Sequence, residues 1–365
     1  MPGSKPKTGL AEALYQANIR SLSKKLPGFD LADILGRNAD GSVHRGSGWF
    51  YLLPHLYGTR LLSNSPDKAV GSLGVKMRGG LTHWLYLHLG KLFFEGYKQV
   101  IVQKAPLPRQ NRPLLFVPNH YFMQDPLASI MLAERHAYLV FGTIPHFFNT
   151  KYGPQAYLNG SILVNRRDKA SRHAVIEKAA RVMEQGAGVF IFAEGGWNKS
   201  PNRLILPLWR GVYTIARRTD ALVIPMVNLQ GDKKIYSSRL PAFDICQYSP
   251  AEEAQALEDL RNILATGLYS LMEEFSVCTR QDFLGDYTSM HRRARQIVRA
   301  QAKTSGYFYD ATVEAGDNAA DLRLPDSPYP ADVWRSIGDL PVSAENIHAK
   351  NYAKQLYDED YQRRF

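Results

Sequence analysis

Read as a pattern of apolar and polar positions, the chain falls into three textures. Up to about residue 104 the pattern is helical: positions 81, 84, 85, 88, 92 and 93, occupied by Leu81, Trp84, Leu85, His88, Leu92 and Phe93, recur at helical spacing. His83, Lys91, Glu95 and Lys98 interrupt that run, so it predicts amphipathic helices rather than a fully apolar span. Trp49, Phe50, Tyr51 and Tyr57 add aromatic side chains of the kind that settle at lipid–water boundaries. This region, residues 1–104, is expected to cover a neighbouring core, to touch a membrane, or to do both with different faces.

From residue 105 to 280 short apolar runs alternate with amphipathic stretches. Strands are expected at Pro113–Pro118, Ala137–Phe141, Ser161–Val164, Val189–Ala193 and Ala221–Pro225. Asp125 and Pro126 predict a helix start, with Asp125 as N-cap and Leu127, Ile130, Met131 and Ala133 along the helix. A second helix is expected from Ser171 to Gln185 with Gly186 as its stop, and a third carries Val212, Ile215 and Ala216. Strands alternating with helices predict an α/β layer structure, a sheet flanked by helices and preceded by a helical N-terminal region. Residues 281–365 are polar, charged and rich in tyrosine, and read as a C-terminal extension. Within it, Arg292, Arg293, Arg295 and Arg299 fall on an expected helix that would either face solvent or draw the chain to anionic lipid.

Composition narrows the classes. Hydrophobic residues are 45% and charged residues 22% of the 365, which excludes a disordered or collagen-like chain. Cys246 and Cys278 are too few for a disulfide framework, and no C-x-x-C pair suggests a metal site, so a reducing, intracellular setting is expected. The formal charge of +11 favours nucleic acid, anionic lipid or phosphorylated substrates without choosing among them. No signal-peptide stretch opens the chain, and no apolar run nears the roughly 18–20 residues that a spanning helix needs. The expected location is peripheral, on the cytoplasmic face of a membrane.

The candidate chemistry lies where the first predicted strand ends, at Asn119, His120 and Asp125. A histidine at the carboxyl end of a strand, ahead of a helix start, stands where open α/β folds keep their sites. The loop is short enough for the Asp125 carboxylate to fold back onto the imidazole. It would hold one ring nitrogen's proton and leave the other nitrogen as a base for a hydroxyl attacking a carbonyl. The H-x-x-x-x-D spacing by itself is common. Three further segments join it: Gly160 to Arg166, Phe190 to Gly195, and Val223 to Met226 with its internal Pro225.

In order and spacing, over roughly residues 110–230, these four blocks resemble the lysophospholipid acyltransferase superfamily, which includes the acylglycerol-phosphate acyltransferases. The resemblance implies that His120 is the base, that Asp125 orients it, and that Arg166 binds an anionic group of the acceptor. It implies that Asn119, Glu194, Gly195, Gly196 and Trp197 shape the substrate site. One departure stands out: the family's third block commonly continues Glu-Gly-Thr-Arg, whereas here Gly196, Trp197 and Asn198 follow, with Lys199 the next cation. That change puts lysophosphatidic acid in doubt as acceptor and points to another lysolipid or amphiphile. The implied donor is acyl-CoA or acyl carrier protein, the implied acceptor a membrane lipid. No cofactor is called for, since H-E-x-x-H and P-loop patterns are absent. No G-x-S-x-G supplies a covalent nucleophile, so direct transfer is expected. Two other readings stay open: a membrane- or lipid-binding scaffold that has lost its chemistry, and a nucleic-acid-binding protein. The second is disfavoured, because no recognised motif is found and the cations are spread along the chain.

Overall fold

The computed structural model describes residues 59–275, except 90–93, 95, 109–111, 121, 123, 143, 150–151, 167, 197, 199–203 and 232, and a few positions before 59. Trp49, Phe50, Tyr51, Tyr57, Cys278, the basic run from Arg292 to Arg299 and the rest of the C-terminal extension lie outside the described residues, as does Trp197.

The described residues form a mixed α/β fold with seven strands: β1 Lys98–Lys104, β2 Leu114–Pro118, β3 Ala137–Phe141, β4 Ser161–Leu163, β5 Gly188–Phe190, β6 Leu222–Gln230 and β7 Lys234–Arg239. The longer helices are α1 Asp125–Ala133, α2 Tyr152–Asn159, α3 Lys169–Glu184, α4 Gly211–Thr219 and α5 Glu253–Glu274. The described residues fall into two compact units, one holding 135–190 with 59–86, the other holding 87–134 with 191–275.

In the second unit the strand order is β1-β7-β6-β2. β2 runs parallel to β6 from Leu114 opposite Leu222 to Pro118 opposite Met226, and β7 is antiparallel to β6. Every residue of β2 and β6 is buried, which is why both carry continuous apolar runs rather than an alternation. Successive side chains on β6 point to opposite faces. Asn228 meets Ser129 of α1, while Val227 approaches Gly267 of α5, so these two helices cover opposite faces of the strand. Buried polar groups link three strands: Gln99 of β1 donates to the Ser237 hydroxyl, and Ser237 donates to the Asn228 amide oxygen.

Arg239 fastens α1 from its far end. Its buried guanidinium donates to the Leu132 and Ala133 carbonyls at 2.9 and 3.3 Å, to the Ala105 carbonyl at 2.8 Å and to the Glu134 carboxylate at 3.3 Å. The last carbonyls of a helix lack partners within it, and a cation there also suits the helix dipole. Arg239→Met is expected to lower unfolding free energy by about 3 kcal/mol, since several buried acceptors lose their donor together. A urea-unfolding midpoint left within error of wild type would rule out this clamp.

In the first unit the order is β5-β3-β4, all parallel. α3 packs on β4 and β5, and its N-cap is Asp168, whose carboxylate accepts from the N–H groups of Ala170 and Ser171. The helix therefore begins two residues before the expected Ser171. Upstream, residues 72–89 wind through a π-turn at Arg78–Thr82. Leu73, Met77, Leu81, Trp84 and Leu85 are exposed there at helical spacing, while Lys91, Leu92, Phe93 and Glu95 of the expected amphipathic run lie outside the described residues. No helix among the described residues is long and apolar enough to cross a membrane.

Two local expectations need correction. Asp125 is not the N-cap of α1: Gln124 takes that place, and Asp125 is the first helical residue, its carboxylate turned back to the preceding loop. The strand expected to reach Ala193 ends at Phe190, and the chain then turns, with the Gly195 N–H donating to the Phe192 carbonyl at 2.9 Å.

Candidate active site

The site is assembled in the second unit from the β2–α1 loop and the segments 191–198 and 204–211. β2 delivers Asn119 and His120 at its carboxyl end. The His120 Nδ1 faces both oxygens of the Asp125 carboxylate, at 2.9 and 3.0 Å. Asp125 is fully buried, whereas the His120 side chain is 17% exposed. The carboxylate also accepts from the Phe122 N–H at 3.1 Å, which fixes its orientation. A buried acceptor on Nδ1 selects the tautomer with its proton on that nitrogen, leaving Nε2, on the opposite side of the ring, basic.

The His120 peptide is held at both ends. Its N–H donates to Glu194 Oε1 at 2.9 Å, and its carbonyl accepts from the Asn198 N–H at 2.6 Å. The Phe192 ring stacks on the imidazole, with centroids 4.1 Å apart and planes 27° from parallel. One short segment thus sets the position of the backbone and the plane of the ring.

Glu194 is buried, and its second oxygen accepts from the Leu206 N–H at 2.8 Å. Burial pushes its carboxyl up to about 8, against the N–H groups of Leu206 and His120, which favour the ionised form, and with an added push from Asp125. Gly195 has φ +73°, a conformation open to glycine, and a Cβ there would fall 2.3 Å from the Trp209 indole nitrogen. Gly196 is buried beside it.

Asn119 lies inside the sheet. Its amide donates to the Asn228 carbonyl at 3.1 Å and accepts from the Asn228 N–H at 2.8 Å, so it splices β2 to β6 directly ahead of His120. Arg166 belongs to the other compact unit, where its guanidinium lies against Gly142 and donates to that carbonyl at 3.3 Å. In that unit Gly160, with φ +101°, leaves room for the Tyr138 ring, which a Cβ would meet at 2.8 Å. The structure therefore brings Asn119, His120, Asp125, Glu194, Gly195 and Gly196 together within one unit, and Arg166 belongs to the other.

Sequence reasoning missed Phe192, Asn198, Leu206, Trp209 and Asn228 as parts of the site. Phe192 falls inside the apolar run that predicts a strand. Leu206 acts only through its backbone, which no residue type announces. Among the described residues no group of three or more His, Cys, Asp or Glu is placed to hold a metal ion.

Comparison with known proteins agrees with these blocks. Residues 99–228 match the family model described as Acyltransferase. A 1-acyl-sn-glycerol-3-phosphate acyltransferase of Chlamydomonas reinhardtii is 25% identical over 133 residues, 36% of this chain. The matched part spans 39% of that relative's own length. The crystal structure of a 1-acyl-sn-glycerophosphate (LPA) acyltransferase, PlsC, from Thermotoga maritima overlays with a TM-score of 0.42 at 15% identity, covering 70% of this chain and 98% of that one. The stretch of this chain that resembles the Acyltransferase family model contains His120, Asp125, Arg166 and Glu194.

Proposed function

We propose that the protein moves a fatty acyl group from a thioester donor, acyl-CoA or acyl carrier protein, to a hydroxyl of a lysophospholipid or related amphiphile. The observation that carries this reading is the His120 Nδ1 at 2.9 and 3.0 Å from a fully buried Asp125 carboxylate. In the reaction, Nε2 takes the proton of the acceptor hydroxyl as its oxygen attacks the thioester carbonyl. The tetrahedral intermediate collapses, the C–S bond breaks, and the thiolate receives the proton from the imidazolium. An ester and a free thiol are formed. Asp125 orients the ring and stabilises its charged form. Glu194, Gly195 and Gly196 form the floor beside it.

The relative's name supplies a candidate acceptor, 1-acyl-sn-glycerol 3-phosphate. The exposed stripe from Leu73 to Leu85, with Trp84 in it, supports a peripheral position at the lipid surface from which such acceptors are drawn. The test is to incubate purified protein with labelled acyl-CoA and a panel of lysophospholipids, following acylated lipid and free thiol together. Equal amounts of ester and thiol are expected with at least one acceptor. Thiol release with no acylated product from any acceptor would overturn the assignment.

A further inference from the structure

The geometry points to Trp209 as the platform on which the uncharged backbone of the acyl acceptor rests, a reading that stands on the proposed acyl transfer at His120. Trp209 lies just ahead of α4, and its N–H donates to the Ala193 carbonyl at 2.8 Å. A Cβ on Gly195 would fall 2.3 Å from the indole Nε1 and 2.7 Å from Cδ1. The pyrrole edge is therefore pressed onto Gly195, and the six-membered ring extends away from it. Gly195 closes a turn on Phe192, which keeps the two Cα atoms within about 7 Å. Phe192 is the ring that lies on His120. The indole thus lies against Gly195, three residues after the ring that stacks on the imidazole, within the same compact unit.

Trp209 remains 43% exposed despite these restraints. A half-exposed indole fastened at its backbone and along one edge offers a large rigid face with little entropy left to lose on binding. The face of an aromatic ring is its negative side. Asp125 lies close by through His120, and the neighbouring Arg210 reaches to Glu253 at 3.1 Å. Such a surface suits a CH-rich, uncharged group, the glycerol-type backbone next to the reacting hydroxyl, and disfavours a phosphate stacked on the ring.

The test measures binding in the His120→Ala protein, where no chemistry intervenes. Monoacylglycerol, its phosphorylated counterpart and acyl-CoA are titrated separately by calorimetry in detergent micelles. Trp209→Ala is expected to weaken both acceptors alike, by about tenfold, and to leave acyl-CoA unchanged. Trp209→Phe should retain most of the affinity, and Trp209→Leu, which still fills the space against Gly195, should reproduce the alanine loss if the alanine variant does not fold. Acceptor affinity that stays the same, or falls together with that for acyl-CoA, would overturn the platform. So would Trp209→Lys strengthening the phosphorylated acceptor alone, since the phosphate would then occupy this place. If the unmodified enzyme forms no ester while lipid binding still depends on Trp209, the acyl-transfer reading fails, and Trp209 is a lipid-binding face rather than a platform for an acyl acceptor.

Discussion

His120→Ala is expected to lower kcat for acyl transfer by about 10²- to 10⁴-fold, the range that general-base assistance usually contributes. A neutral hydroxyl attacks a thioester poorly. The base acts as the oxygen approaches the carbonyl, so its loss is felt in the transition state and not in the bound complex. KM for acyl-CoA should therefore change little, and kcat and kcat/KM should fall together. The fold should survive. The imidazole is partly exposed, and the residue 120 peptide keeps its bonds to the Glu194 carboxylate and the Asn198 N–H, to which residue 120 contributes only backbone atoms. Single-turnover acylation by the folded variant is the measurement. Activity within a few-fold of wild type would remove His120 from its role, and a parallel loss of thermal stability would shift the cause from chemistry to folding.

The pair at His120 and Asp125 is legible because the two lie five residues apart, and a loop that short leaves few ways to separate them. What holds the pair is not local. Glu194 is 74 residues from His120 in sequence, and Asn119 meets Asn228 across 109. Such contacts depend on strand order, which periodicity does not carry. The two missed strands make the same point. β1 reads Lys-Gln-Val-Ile-Val-Gln-Lys, the charged texture of a sheet edge. β7 places Ser237, Ser238 and Arg239 inside the fold, where polar residues resemble a surface until their partners are known. Asn228, Gln99 and the end of α1 are those partners; Asn228 is nine residues away on the neighbouring strand, while Gln99 and the end of α1 come from distant parts of the chain. The β2, β4, β5 and β6 runs are readable because burial on both faces leaves an apolar signature. Asp125 shows the limit of local rules: its residue type suits a helix cap, but the imidazole and the Phe122 N–H claim its carboxylate first.

Glu194→Gln is expected to cost more than its near-identical shape suggests. Each Glu194 oxygen accepts a backbone N–H, from His120 at 2.9 Å and from Leu206 at 2.8 Å. A glutamine amide offers one oxygen and one NH₂ group, so whichever way it turns, one N–H faces another donor. A buried donor left without an acceptor costs about 1–3 kcal/mol. If the amide turns its oxygen to Leu206, the His120 peptide loosens, and a displacement of the base near 1 Å can cost about 10²-fold in rate. The pH dependence separates this from a generic packing loss. Because burial raises the folded-state carboxyl to about 8, the folded protein keeps a proton between about 4.5 and 8 that the unfolded chain releases. The unfolded state then binds fewer protons, so this group's stabilisation is complete below pH 4.5 and declines by about 1.4 kcal/mol per pH unit until the folded carboxyl ionises. Glutamine does not titrate. In urea unfolding at pH 5, 7 and 9, the gap between wild type and Glu194→Gln should therefore narrow as the pH rises and reverse by pH 9. Parallel stability curves would show that the carboxyl carries no such proton, and that its two N–H partners hold it ionised throughout.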